Sequence, residues 1–596
     1  MKRIRRIPAL TAALLLVFSL SGCSELKTAW AQEQFDTFIN NVFVSTMESD
    51  YATAHVYLRN PEEFGVDSEN IPVNLGARFT PEVMEQQRTD LRELQAAFQE
   101  FNRNLLTAQQ QDIYDTFENQ IDLSVQLSDS KFDYYTQLFQ SMTGLHFAIP
   151  TFFADLTIYS MQDVEDLIAL VQDVKPYVDS ALAYTREQAK RGLLMTDLDA
   201  VTDYCAGIVE QGENSAVLIA MEASIDALSA TEQEKSDCKS RLAQAFRDSF
   251  LPAYQAICDT MEELKAMGVN NTGGLANFEN GKEYYALMMR QNIGSDKSVE
   301  QVRDMMTTAY GGHMNSLRQL ITQNPDVIEP VLTGALPETG YTSYEEVLAD
   351  LEGAITADFP AVSNLNYEIQ AVNEEIASDS GVAAYFNIPP LDGGSVQQLR
   401  VNPNTGEIGS ISTYSTVAHE GFPGHMYQYA YMYENIQSNY VKAVANVPAY
   451  SEGYAVYAQY EALDYLDGFD PALLDVYREN ELVTYCAIIL CDIGIHYDGW
   501  SLQEFTDYLD GIGFVIKDEA AAVQYNQLWA NPCAFEPYYV GYEEFAGLRQ
   551  RAEEALGDDF DEKSFHQALL QSGTAPFAVV ERNVQAYIDS VLHLAG

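Results

Sequence analysis

Apolar residues recur at helical spacing over most of the chain. Val164, Leu167, Ile168, Val171 and Val174 share one face of a helix that opens at Ser160, with Asp163 three residues on in a capping-box arrangement. The pattern predicts an interruption at Pro176, whose ring removes a backbone donor. Ser298 with Gln301, Thr342 with Glu345, and Ser501 with Glu504 mark similar starts before further amphipathic stretches. The pattern changes between residues 381 and 413. There Ala384 to Ile388, the turn-forming run Pro389-Pro390-Leu391-Asp392-Gly393-Gly394, and Gln398 to Val401 predict a short β-hairpin. The expected fold is mainly α, a large helical body of two lobes around a cleft, with a small hairpin or sheet beside the segment that follows it.

The N-terminal pattern is an address. Lys2, Arg3, Arg5 and Arg6 stand without an acid, and Ile7 to Leu20 form an apolar run too short for a stable membrane span. Leu20-Ser21-Gly22-Cys23 resembles the lipobox of bacterial lipoproteins, in which the cysteine is acylated. Residues 1–22 are therefore expected to be a signal peptide and 23–34 a lipid-anchored tether. An N-terminal helical lobe over 35–290 and a second lobe over 291–596 would follow. The lipid on Cys23 would be the membrane attachment, with the body facing outside the cytoplasm.

Charge narrows the partners. The 596 residues carry 33 Lys+Arg against 88 Asp+Glu, a formal charge of -55, so a nucleic acid would meet a surface of its own sign. Losing the four cations of residues 1–22 takes the charge from -55 to -59. Six cysteines follow Cys23, an even number compatible with disulfides in an exported protein. Cys486 and Cys491, five apart on a helix, point to different faces and are not expected to pair.

The chemistry stands directly after the hairpin, in His419-Glu420-Gly421-Phe422-Pro423-Gly424-His425. Two histidines around a Glu form the core of the zincin arrangement, with imidazole ligands and a carboxylate base. The usual spacing of four leaves the ligands about 40° apart on a helix, whereas six leaves them roughly 120° apart. Pro423 and Gly424 lie inside the extra turn, so the helix is expected to break there and bring His425 back. Glu452, 27 residues after His425 at the start of another helix, is the expected third ligand of one Zn²⁺, with Glu461 and Asp464 as alternatives.

These residues, with Glu452-Gly453-Tyr454-Ala455, resemble the bacterial domain of unknown function 885 family, whose members are similar to gluzincin metallopeptidases, including the carboxypeptidase Taq family. The resemblance spans about residues 35–590. It includes Asp492-Ile493-Gly494-Ile495-His496 with Gly499-Trp500, and Phe565-His566 with Gly573 and Pro576. Three places depart from the family. Tyr454 replaces a typical Trp, Tyr485 and Ile488 stand where arginine is common, and Pro532-Cys533-Ala534-Phe535 replaces a Pro-Gly-Gln-Ala turn. The resemblance implies a cell-surface zinc metallopeptidase acting on peptides, with Glu420 as base toward the zinc-bound water. His496, Tyr454 and Tyr539 are candidate donors to an oxyanion, Arg400 is a substrate-binding candidate, and the hairpin edge could seat an extended peptide. The alternatives are a peptide- or nutrient-binding lipoprotein with a degenerate site, and a zinc hydrolase of a non-peptide amide or ester.

Overall fold

The apolar stripes read from the sequence fold as helices, and their polar starts as caps. Ser160, Ser298 and Ser501 each accept from the backbone three residues on, and each closes a full capping box. The third start lies one residue later than expected. Ser343 caps the helix Tyr344–Ala354, and the Glu346 carboxylate bonds back to the Thr342 N–H at 2.8 Å. Pro176 does not interrupt its helix, which runs Met161–Arg191. Ser249 supplies what the proline removes. Its hydroxyl donates to the Gln172 carbonyl at 2.9 Å and accepts the Lys175 N–H at 3.0 Å.

The computed structural model describes residues 24–363, 365–372, 383–393, 396–402, 404, 407–514 and 516–595. Residues 1–22 and Cys23 lie outside them, as does Gly394 of the expected turn. Residues 24–34 are the first turns of the helix Ser24–Met47. The fold is mainly α, with one small sheet. Strands β1 (Tyr367–Ala371), β2 (Ala384–Asn387) and β3 (Gln397–Val401) lie in the order β1-β3-β2. The expected hairpin is the antiparallel β2/β3 pair, in which Phe386 opposes Leu399. The sequence pattern did not predict β1, which joins β3 in parallel.

Three large hydrophobic cores hold the helices. One gathers residues between Phe139 and Leu264, and a second joins Phe35–Ile121 to Met432, Ile436, Tyr440 and Val441. The largest runs from Leu123 to Ile588 and crosses residue 290, since Tyr285, Ile293 and Val302 share it. Five helices from this core build the site: α1 (Ile411–Glu420), α2 (His425–Asn435), α3 (Pro448–Ala462), α4 (Pro471–Ile493) and α5 (Glu536–Leu556). Helices α3 and α5 cross at bare backbone. A Cβ on Gly453 would fall 2.5 Å from Gly541 Cα, so glycine at both positions sets their closeness. The crossing places Glu452 of α3 near Tyr538 of α5.

His566 belongs to this scaffold. Its ring stacks on Phe359, its Nδ1 bonds the Asp358 carbonyl at 2.7 Å, and the Tyr457 hydroxyl reaches its Nε2 at 2.8 Å. Burial pushes its pKa down to about 3. The neutral form is thus favoured on folding, and this contribution is complete above the unfolded value near 6.5 and is lost as pH falls toward 3. Between pH 6.5 and 4 it amounts to about 3 kcal/mol. Denaturant titrations at the two pH values should show a pH dependence shallower by that amount in His566→Gln.

Candidate metal centre

The spacing of six is resolved by a break in the helix. Helix α1 ends at Glu420 and α2 begins at His425, with a cis Phe422–Pro423 bond between them. The Gly424 N–H bonds the Ala418 carbonyl at 3.0 Å, and the Tyr427 N–H bonds the Gly421 carbonyl at 3.2 Å, so the loop folds tightly over the end of α1. A Cβ on Gly424 would lie 1.8 Å from the His419 carbonyl oxygen. Only glycine fits, because the obstacle is backbone.

The break returns His425 to His419, their ring centroids 4.9 Å apart and the planes perpendicular. Glu452 Oε2 completes the group, 3.5 Å from His419 Nε2 and 3.3 Å from His425 Nε2. Glu420 Oε1 lies 3.9 Å from His419 Nε2, while its Oε2 accepts the Phe386 N–H of β2 at 2.9 Å. The hairpin edge therefore serves Glu420 at Phe386. On the far side of His419, Nδ1 lies 2.9 Å from Gln459 Oε1. That bond makes Nδ1 the protonated nitrogen and turns the Nε2 lone pair toward Glu452.

Burial and mutual charge set the electrostatics. Burial raises the Glu420 pKa, opposed by His419 and His425. For Glu452 burial also acts upward, but the two imidazoles outweigh it and hold the carboxyl well below its usual range. Burial would lower His425, yet Glu452 and Glu420 raise it to about 9. Two imidazole nitrogens and a carboxylate oxygen converging on one point form a donor set of the kind that binds Zn²⁺.

Other expected residues lie elsewhere. His496 is fully buried, accepting the Leu275 N–H at Nδ1 and bonding the Leu528 carbonyl through Nε2, and burial lowers its pKa. Tyr454 is fully buried against Phe545, because it follows Gly453 onto the core face of α3. Arg400 points toward Asp155, 3.7 Å away, which also accepts the Tyr385 hydroxyl. Glu461 pairs with Arg549, and Asp464 with Arg478. Tyr539 stacks on Tyr485 with centroids 3.7 Å apart and lines a cavity of about 600 Å³ onto which His419 opens. Its neighbour Tyr538 is closer to the chemistry. The ring lies nearly parallel to that of His419, centroids 6.2 Å apart, and burial together with the Glu452 and Glu420 charges pushes the phenol's pKa up.

Sequence reasoning missed Gln459 and Tyr538. Gln459 carried a signal, standing seven residues after Glu452 and so on the same helix face. Tyr538 carried none, since only the α3/α5 crossing distinguishes it from Tyr539.

The profile of a family described as bacterial protein of unknown function, DUF885, matches residues 73–584. The chain belongs to the DUF885 family. No curated protein matches it. Its fold is shared with "the putative lipoprotein from Colwellia psychrerythraea", at a TM-score of 0.79 and 18% identity over 94% of this chain and 99% of that one. It is also shared with "a putative lipoprotein of unknown function from Shewanella oneidensis", at 0.60 and 15% identity over 92% and 98%.

Within this DUF885 chain, the Asp492–His496 block braces the cavity wall. Asp492 Oδ2 accepts the Tyr285 hydroxyl at 2.6 Å and the Cys533 N–H at 3.4 Å, and His496 ties down Leu528. Glu536 is fully buried beside Asp492, and burial followed by the Asp492 charge raises its pKa far above the carboxyl range. These contacts fix the Pro532–Phe535 turn, in which Cys533 holds a φ of 58°. That turn and Tyr485 line the cavity. The six described cysteines are buried free thiols.

Proposed function

We propose that this protein is an exported zinc metallopeptidase, with His419, His425 and Glu452 holding one Zn²⁺. The observation that carries the reading is the convergence of two imidazole nitrogens on Glu452 Oε2 with Glu420 beside them. When bound, zinc supplies a Lewis acid that acidifies water and polarises a carbonyl. Glu420 is the base. The Phe386 N–H occupies one of its oxygens, leaving the other to take a proton from water and pass it to the leaving amine. Tyr538, whose phenol stays protonated beside Glu452, is placed to donate to the oxyanion.

Gln459 holds the His419 tautomer, so Gln459→Leu should weaken zinc binding about 10- to 100-fold in a competitive chelator titration. Export with a lipid on Cys23 is supported by the leader pattern and by the descriptions of the two structural neighbours. Among the described residues no helix is long and apolar enough to cross a membrane, and the lipid would be the attachment. A charge of -55 argues against nucleic-acid partners. A peptide-library digest read by mass spectrometry tests the activity. Cleavage should stop with a chelator and return with zinc, and a zinc-loaded protein that cuts no peptide would refute it.

A further inference from the structure

The cavity beside His419 carries an unbalanced charge. Its walls are mostly neutral, with Ser412, Ser415 and Thr416 from α1, Gln459 from α3 and Asn531 just before the braced turn. Among the lining residues Glu481 of α4 is the sole carboxylate, and no Lys or Arg accompanies it. The Tyr477 hydroxyl donates to Oε1 at 3.1 Å and the Tyr460 hydroxyl to Oε2 at 3.2 Å. Each oxygen thus receives one neutral donor and keeps acceptor capacity. The nearest arginine on α4, Arg478, is turned to Asp464 and Asp475.

A carboxylate in such a place is costly without a positive partner. The two hydroxyls fix its position without neutralising it. The cavity of about 600 Å³ has room for a long side chain, and His419 in its wall puts anything bound there next to the metal centre. The field of a chain with charge -55 draws cations toward it.

We propose that this cavity binds a cationic nitrogen group of the substrate, a primary ammonium or guanidinium, with Glu481 as its counter-charge. The word substrate rests on the peptidase reading; the binding of a cation does not. The group is either the side chain of a basic residue or the free α-amine of a peptide. Burial raises the Glu481 pKa against the pull of the two hydroxyls, and an arriving cation would reverse that shift.

Calorimetric titration of the full chain with n-pentylammonium, and with n-pentanol as its neutral counterpart, tests the proposal without requiring hydrolysis. The ammonium should bind at least about 10-fold tighter than the alcohol, and Glu481→Gln should remove about 10- to 100-fold of its affinity while leaving the alcohol unchanged. In that variant one hydroxyl can still donate to the amide oxygen while the other accepts from its NH2, and the wild-type comparison stands without it. Equal binding of the two probes, or full ammonium affinity in Glu481→Gln, would overturn the proposal. Lysinamide acetylated at Nα or at Nε separates the sources. Binding that survives only Nα-acetylation assigns the side chain, binding that survives only Nε-acetylation assigns the α-amine, and undiminished binding of lysinamide acetylated at both nitrogens rejects a cation site. Cation binding without hydrolysis would keep the pocket and reject the peptidase. Hydrolysis without charge preference would do the reverse.

Discussion

Replacing Glu420 with Gln is expected to lower peptide hydrolysis about 10²- to 10⁴-fold while leaving one zinc bound. The substitution preserves shape, and the amide oxygen can still accept the Phe386 N–H that now holds Oε2. It leaves the convergence of His419, His425 and Glu452 untouched. What it removes is a buried carboxylate able to take a proton. Steady-state rates with metal content measured on the same samples give the answer. Unchanged hydrolysis would make Glu420 a bystander. Loss of zinc would make it a ligand, a role its place in a cluster with both histidines makes worth testing.

Gly424→Ala should be nearly as damaging, through the backbone. Its new Cβ would meet the His419 carbonyl oxygen at 1.8 Å and that of Ala418 at 2.5 Å, and neither can move without opening the loop between α1 and α2. A cost of about 4 kcal/mol or more is expected, together with loss of zinc binding as His425 leaves His419. Gly311→Ala is the control. It lies within the helix Val299–Gln323, where a Cβ meets nothing within 4 Å, and should stabilise by about 0.5–1 kcal/mol. Denaturant unfolding of both variants compares them, and a Gly424→Ala protein as stable as the parent would mean that the close-packed loop does not set the histidine spacing.

Local chemistry was legible in the sequence wherever the interaction is local. Capping boxes, the β2/β3 hairpin and the break at Pro423-Gly424 depend on residues a few positions apart, and the structure places them within a residue of expectation. Glu452 was singled out because a zinc site would need a third donor, and the structure brings its Oε2 to 3.5 Å from His419 Nε2 and 3.3 Å from His425 Nε2. The misreadings came from distant contacts. Pro176 stays helical because Ser249, 73 residues later, replaces its lost bond. Strand β1 was missed because its parallel partner β3 comes from about thirty residues away, and a parallel pair is not joined by a tight hairpin turn that would announce it. His496 has the chemistry of a catalytic donor, but it bonds two main-chain groups and braces the cavity wall instead. Tyr454 is buried against Phe545, and Tyr538, for which no role was expected, lies beside Glu452, because the α3/α5 crossing at Gly453 and Gly541 sets which tyrosine approaches it.

The most direct test of the metal centre is zinc K-edge X-ray absorption on the protein loaded with one equivalent of zinc. Among the described residues two other groups of side chains could hold an ion, His313 with Cys486 and Glu543, and Asp492 with Cys533 and Glu536, and each contains a cysteine. The centre at His419, His425 and Glu452 contains none. Zinc held by His419, His425 and Glu452 should show a shell of nitrogen and oxygen at about 2.0–2.2 Å with the outer-shell signature of two imidazoles and no scatterer at the zinc–sulfur distance of about 2.3 Å. A sulfur in the first shell, or a protein that takes up no zinc, would contradict it.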